Sequence, residues 1–224
     1  YLSRGLGDVY KRQQLTGANY PKIKQFRISG SGGDTSNSYL SCYAIDTEGY
    51  LYTWGYNGYG QLRTGNTTNN YYASRIAKTF FGNRSIVYLT VVGNQYASVY
   101  AITDDGRCWS WGQNDNGQLA IDNVTDSNTP TDITAVAGSP LNGKRIRHVM
   151  GHDGGSSNVA RVWFLTTDGE VFYCGQNENY GNYSGVISAS ASVNIDMPTA
   201  LTDAASTINS CLLYTSDAAD EVLG

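Results

Sequence analysis

Charge is scarce in this chain. Asp, Glu, Lys and Arg together make up 15% of its 224 residues and leave a net charge of −4. So weak a field gives no electrostatic reason to expect nucleic acid or an anionic membrane as partner. No apolar run approaches the roughly 20 residues of a spanning helix. Proline is reduced to four residues, and histidine and methionine to two each. The two histidines, His148 and His152, have no glutamate at metal-ligand spacing, so a zinc site is not expected. The pattern places His148 in a strand and His152 at the start of a Gly/Ser loop. No nucleophile, base and acid converge in the sequence, and no catalytic, cofactor or metal residue is assigned.

Cysteine is equally sparse. Cys42, Cys108 and Cys174 recur every 66 residues, yet each stands in a different register of the internal repeat described below. Cys174 takes the place of Trp54 and Trp111, Cys108 that of Leu51 and Val171, and Cys42 that of Val99 and Val162. Those counterparts are apolar, so the expectation is a small buried thiol in place of a hydrophobe. The fourth, Cys211, falls in a segment set aside from the fold. Residues 1–13 (with SRGLGDVYKRQ) and 211–224 (with CLLYTSDAADE) resemble translated sequencing-adapter read-through and are expected to be artefacts. Without them the chain keeps 12 basic and 15 acidic residues.

What is abundant is glycine (26) and tyrosine (18), with many Asn, Ser and Thr, which suits short strands joined by polar turns. Residues 100–119, YAITDDGRCWSWGQNDNGQL, alternate apolar and polar, turn at Asp105-Gly106, and alternate again into Trp111-Gly112. The same wording stands at residues 43–62 (YAIDTEGYLYTWGYNGYGQL) and, more worn, at 163–182 (WFLTTDGEVFYCGQNENYGN). A period of two on both sides of a tight turn is a β-hairpin. The Glu48-Gly49, Asp105-Gly106 and Asp168-Gly169 pairs are expected to form two-residue type I′ turns. A further apolar segment ending in glycine precedes each hairpin: residues 22–30, 86–93 and 146–151. A short segment closes each unit at 72–76, 129–133 and 197–201, with proline at Pro130 and Pro198 as befits an edge strand. Four strands per unit follow, in repeats spanning about 22–79, 80–137 and 138–203 of a core running from 14 to 210.

The order strand-Gly, hairpin at Asp-Gly, Trp-Gly-x-Asn-x-x-Gly-Gln-Leu, polar loop and Pro-x-x-Ile resembles the regulator-of-chromosome-condensation repeat. The resemblance implies an all-β fold, a partial β-propeller of about three four-stranded antiparallel blades from a propeller of seven. The family pattern carries a histidine where this chain has Tyr96, and the third copy lacks both its Trp and its Gly-Gln-Leu. A sheet that buries one face needs a neighbour, so Trp54, Trp111, Tyr52, Trp109 and Phe172 are expected to be buried between units. An arc of three such units is expected to be weakly stable or to aggregate.

Lys144, Arg145 and Arg147 are expected to blunt a strand edge. Asp115, Asn116 and Gly117, with Asp122 and Asp126, read as turn chemistry, since they lack the regular carboxylate series of a calcium loop. Asn-x-Ser/Thr sequences at Asn66, Asn83, Asn123 and Asn182 come readily from an Asn-rich chain. The candidate contact residues are loop tyrosines: Tyr56, Tyr59, Tyr71, Tyr72, Tyr180 and Tyr183. Tyrosine offers a large amphipathic surface at low entropic cost. The reading is a non-enzymatic recognition or structural module, part of a larger protein, that binds a protein or a glycan through variable loops. Composition suits an environmental microbial or viral gene and an extracellular or virion-surface place, as in a tail fibre. A propeller-based polysaccharide-degrading enzyme is the competing class; it calls for inward carboxylates at matched positions, which Asp46, Thr103 and Thr166 do not provide. Guanine-nucleotide exchange enters by family analogy alone.

Overall fold

A computed structural model describes residues 21–30, 39–153, 160–176 and 195–200. Three four-stranded antiparallel sheets succeed one another along the chain. The first holds β1 (Ile23–Ser29), β2 (Ser41–Asp46), β3 (Leu51–Gly55) and β4 (Asn70–Ile76) in sequence order. The second holds β5 (Ile86–Val92), β6 (Ser98–Thr103), β7 (Cys108–Gly112) and β8 (Ser127–Asp132) in the same order. The third holds β9 (Ile146–Asp153), β10 (Ala160–Thr166), β11 (Val171–Gly175) and β12 (Ile195–Ala200). The arrangement is a partial β-propeller of three blades, with β1, β5 and β9 running side by side. His152 lies within β9 and not in a loop, because that strand pairs with β10 as far as Asp153.

The hairpin turns differ from the two-residue form. Ile45 pairs with Leu51, Asp46 N–H donates to the Tyr50 carbonyl at 3.1 Å, and Gly49 N–H donates to the Asp46 carbonyl at 3.0 Å. Three residues therefore span the turn, and only the glycine has positive φ: 82° at Gly49, 83° at Gly106 and 86° at Gly169. That is a type I turn closed by a left-handed glycine. A type I′ turn would place the preceding Glu48 or Asp105 at positive φ as well, at a steric cost that glycine alone escapes. The same glycine carbonyls bind the next repeat: Ile86 N–H donates to Gly49 and Ile146 N–H to Gly106, at 3.0 and 2.8 Å.

Alternation along each strand sends side chains to two different seams. Val99 and Ala101 of β6 join Tyr43, Ile45, Leu51, Phe81, Leu89 and Trp111 between the first and second sheets. Their neighbours Tyr100 and Ile102 join Cys108, Leu119, Val149, Phe164, Phe172 and Cys174 between the second and third. Both faces of the middle sheet are thus covered. Burying side chains of this size contributes about 1.5–3 kcal/mol each and is the main stabilising effect. The connector Lys78–Phe81, a short 3-10 turn absent from the sequence pattern, delivers Phe81 into the first seam.

The aromatic residues expected between units divide by face. Trp111 and Phe172 are buried, and Trp109 packs half-buried edge-on to Phe81. Tyr52 and Trp54 are half-buried, on the side of β3 opposite Leu51 and Thr53 and therefore away from the second sheet. Trp54 leans on Phe26 of its own sheet, and Tyr52 donates its hydroxyl to Asp46 at 3.0 Å. Cys108 and Cys174 are buried as apolar substitutes, whereas Cys42 is half-buried and faces away from the second sheet with Trp54, its β3 partner.

The edge strands carry a testable difference. Ile133 N–H donates inward to the Cys108 carbonyl at 2.9 Å, so by strand alternation Pro130 sits where an N–H would point outward. Ala73 holds that register in β4, since Arg75 pairs with Tyr52 as Asp132 pairs with Trp109. Ala73→Pro should leave the urea midpoint unchanged or slightly raised, within about 1 kcal/mol. A larger loss would show that the Ala73 N–H is bonded.

Candidate functional site

The loop after each third strand explains the repeat's most specific wording. Asn57 is buried; its side-chain carbonyl accepts the Leu62 N–H at 2.8 Å, and its amide donates to the Asn66 and Thr68 carbonyls at 2.8 and 3.0 Å. Asn114 does the same for Leu119, Asn123 and Thr125 at 2.8, 2.7 and 3.1 Å. Thr53 and Ser110 hydroxyls hold the Leu62 and Leu119 carbonyls, each at 2.7 Å. Gln61 and Gln118 accept N–H groups within their own loops at 2.8 and 2.9 Å. The motif asparagines are consumed in building the loop. The Asp46 carboxylate likewise accepts the Glu48 and Tyr50 N–H groups of its turn.

What these loops present is aromatic. Ser41 donates its hydroxyl to the Tyr56 carbonyl at 2.7 Å, and Tyr56 N–H donates to Leu40 at 2.7 Å, which seats Tyr56 beside Tyr39. Gln61 then reaches the Gln95 carbonyl of the second repeat at 3.3 Å, which brings Tyr96 against Tyr59. The ring centroids run Tyr39–Tyr56 4.9 Å, Tyr56–Tyr59 6.4 Å and Tyr59–Tyr96 5.0 Å, with the first two contacts edge-on. Four half-buried tyrosines thus form one row across the boundary between two repeats. Edge-on spacing of this kind is mutually stabilising.

Burial pushes the Tyr59 hydroxyl up to about 12, helped by Tyr96, Tyr56 and the charge of Asp115. Burial also raises Tyr56. The hydroxyls therefore stay protonated donors throughout the neutral range. The folded value lies above the unfolded one near 10, so this contribution to stability is complete below pH 10 and is lost as pH rises through about 12. Tyrosinate absorbance should accordingly show a class of tyrosines that ionises late in the folded protein and near pH 10 once urea is added. A single class titrating near 10 in both states would contradict the burial.

Of the tyrosines expected from sequence, the structure brings together Tyr56 and Tyr59. Tyr71 and Tyr72 stand apart on β4, 80% and 81% exposed. Tyr180 and Tyr183 lie outside the described residues, as do residues 1–13 and 211–224. Tyr39 and Tyr96 are not among the contact residues expected from sequence, where Tyr96 enters only as a departure from the family pattern, although each lies two residues before the serine that opens the second strand of its repeat. Lys144 pairs with Glu170, and the Arg145 Nε donates to the Asp105 carbonyl at 3.0 Å, so this basic group ties neighbouring turns together. His148 stacks on Tyr88 at 4.9 Å. Arg63, held at φ 61°, lies over the Phe80 ring, and burial lowers its guanidinium to about 10.

The buried Asn and Gly-Gln-Leu loops recur in register on two successive blades, and the family description "Regulator of chromosome condensation (RCC1) repeat" matches residues 48–94 and 105–156. The chain carries RCC1-type repeats in these two stretches. Among similar proteins, human E3 ubiquitin-protein ligase HERC2 is 31% identical over 137 residues, which is 61% of this chain and 2% of that protein. The Ultraviolet-B receptor UVR8 of Arabidopsis thaliana is 29% identical over 119 residues, 50% of this chain and 26% of that one. In fold, Prp20p of Saccharomyces cerevisiae superposes with a TM-score of 0.57 at 16% identity, covering 80% of this chain and 39% of Prp20p. The chain thus spans only a fraction of the length of these proteins.

Proposed function

We propose that this chain is a non-enzymatic recognition module whose contact surface is the row Tyr39, Tyr56, Tyr59 and Tyr96, and that its partner is a protein. The row itself carries the reading: four tyrosines from three loops converge on one rim, while the repeat motif beneath them is spent on holding the loops. Large rigid aromatic side chains with a polar tip are typical of protein contact surfaces. The neighbour in fold supports a protein partner. Prp20p has binding properties toward Gsp1p and histones, and in a second structure yeast RCC1 (Prp20) and Kap60 are bound to each other. Glycan binding is the second use such a row would allow, and polymer cleavage the enzymatic one.

The test immobilises the chain beside a Tyr56→Ala/Tyr59→Ala variant and measures both against a protein-domain array, a glycan array and soluble polysaccharides. The expected result is binding to protein partners that the double variant loses by about tenfold or more, as for paired aromatic anchors, while its melt stays cooperative at a somewhat lower temperature. Hits confined to glycans would replace the partner class. Binding indifferent to the double variant, or shortening of a polysaccharide, would overturn the reading.

A further inference from the structure

The tyrosine row does not end at Tyr96. Gln113 N–H donates to the carbonyl of Ala97, next to Tyr96, at 3.0 Å, and the Gln113 side chain reaches Asp115. Asp115 of the second repeat's loop therefore lies at the Tyr59–Tyr96 end of the row, where its charge acts on the Tyr59 hydroxyl. It is exposed and accepts the Gln113 amide at 3.0 Å. Behind it, Asp126 accepts the Asn114 N–H at 2.7 Å, and burial followed by the nearby charge of Asp115 raises its carboxyl. The aromatic run therefore leads into a pair of carboxylates.

The first repeat shows that the fold does not require these charges. Its loop is built on the same bonds, but Asn69 accepts the Asn57 N–H at 3.0 Å where Asp126 serves Asn114, and Gly58 stands in the place of Asp115. Neutral residues do the structural work equally well. Residues 113–128 hold three aspartates and no lysine or arginine, whereas residues 56–71 hold one arginine and no acid. Acid is concentrated on the second repeat's loop, at the Tyr59–Tyr96 end of the row, where the charge of Asp115 adds to the cost of ionising Asp126.

We propose that Tyr59, Tyr96 and Asp115 form a seat for a cationic side chain, a lysine or arginine carried by an extended segment of the partner protein. The ring faces attract the cation through their quadrupole, Asp115 neutralises it, and the protonated hydroxyls donate to carbonyls of the same segment. A cation placed there also relieves the repulsion between Asp115 and Asp126. This rests on the recognition reading of the row and adds the charge of what it recognises.

The experiment measures fluorescence anisotropy of two labelled probe peptides of equal length, a Gly/Ser peptide with four arginines and the same peptide with four glutamates, against the full chain. The arginine peptide is expected to bind at least about tenfold tighter, and Asp115→Asn or Tyr59→Ala to weaken it about five- to tenfold. Asp168→Asn, which removes an exposed turn carboxylate of the third repeat, should leave it unchanged. Since Gly58 already occupies the position of Asp115 in the first repeat, Asp115→Asn is expected to fold, and a thermal melt verifies this. Equal binding of the two peptides, or equal weakening by Asp115→Asn and Asp168→Asn, would overturn the seat. If that happens while the Tyr56→Ala/Tyr59→Ala variant still loses its array partners, the recognition row stands and only the cationic ligand fails. A chitosan oligosaccharide bound more tightly than the arginine peptide would also overturn the proposal, in favour of a cationic glycan.

Discussion

Asn114→Ala is expected to destabilise the protein by about 3–5 kcal/mol, because it strands three backbone groups at once inside the loop that follows β7. The Leu119 N–H loses its acceptor, and the Asn123 and Thr125 carbonyls lose their donors. The residue is fully buried, so water does not replace it without opening the loop. The loop also carries Leu119 and Ala120 into the second seam, so the cost spreads to the packing between sheets. Against a total stability of about 5–15 kcal/mol this is a large fraction. Asn114→Asp separates the parts of the effect: it keeps an acceptor for Leu119 but offers no donor to the two carbonyls, and should cost nearly as much. Urea unfolding of the three proteins checks this. A loss under about 1 kcal/mol for the alanine variant would mean that the loop is held by something else.

Trp111→Ala should cost a similar amount, about 3–5 kcal/mol, while Trp54→Ala, the same change at the same register one repeat earlier, should cost under about 2 kcal/mol. Trp111 lies wholly within the first seam against Phe81, and its indole N–H donates to the Gln61 carbonyl at 2.8 Å. Trp54 is half-buried on a face with no sheet against it among the described residues. Equal losses would mean that the two faces are equally covered. Trp111→Phe should fall between them, since it keeps most of the apolar area but leaves the Gln61 carbonyl without its indole donor.

The third repeat shows how a seam survives without that tryptophan. At the register of Trp111 stands Cys174, whose thiol lies 3.1 Å from the Gln118 carbonyl. Gln118 corresponds to Gln61, and its carbonyl also accepts the Tyr100 hydroxyl at 2.6 Å. Phe164 packs edge-on to Tyr100 at 5.9 Å in the same seam as Cys174. The pattern WGQNDNGQL to CGQNENYGN reads as decay along one strand. In three dimensions the Gln118 carbonyl keeps a donor at the same register and gains the Tyr100 hydroxyl, while the seam keeps a ring from β10.

The strands, their pairing order, the positive-φ glycines and the division into three like units were legible in the amino-acid sequence. Each depends on interactions within about 30 residues, where a period of two, a glycine and a proline have local steric meaning. The turn type was not, because one and two positive-φ positions look alike when only the glycine is specified. Nor was the site. Tyr56 and Tyr59 stood out in a motif, but Tyr39 joins them only through the pairing that sets Tyr56 beside Leu40, and Tyr96 only because Gln61 spans to Gln95 and the blades lie side by side. Sequence alone determined what each unit is; tertiary structure alone decided which face is covered and which tyrosines meet. The reason is that alternation sets the two faces of a strand apart, while only the neighbouring sheet determines whether a face becomes core or rim.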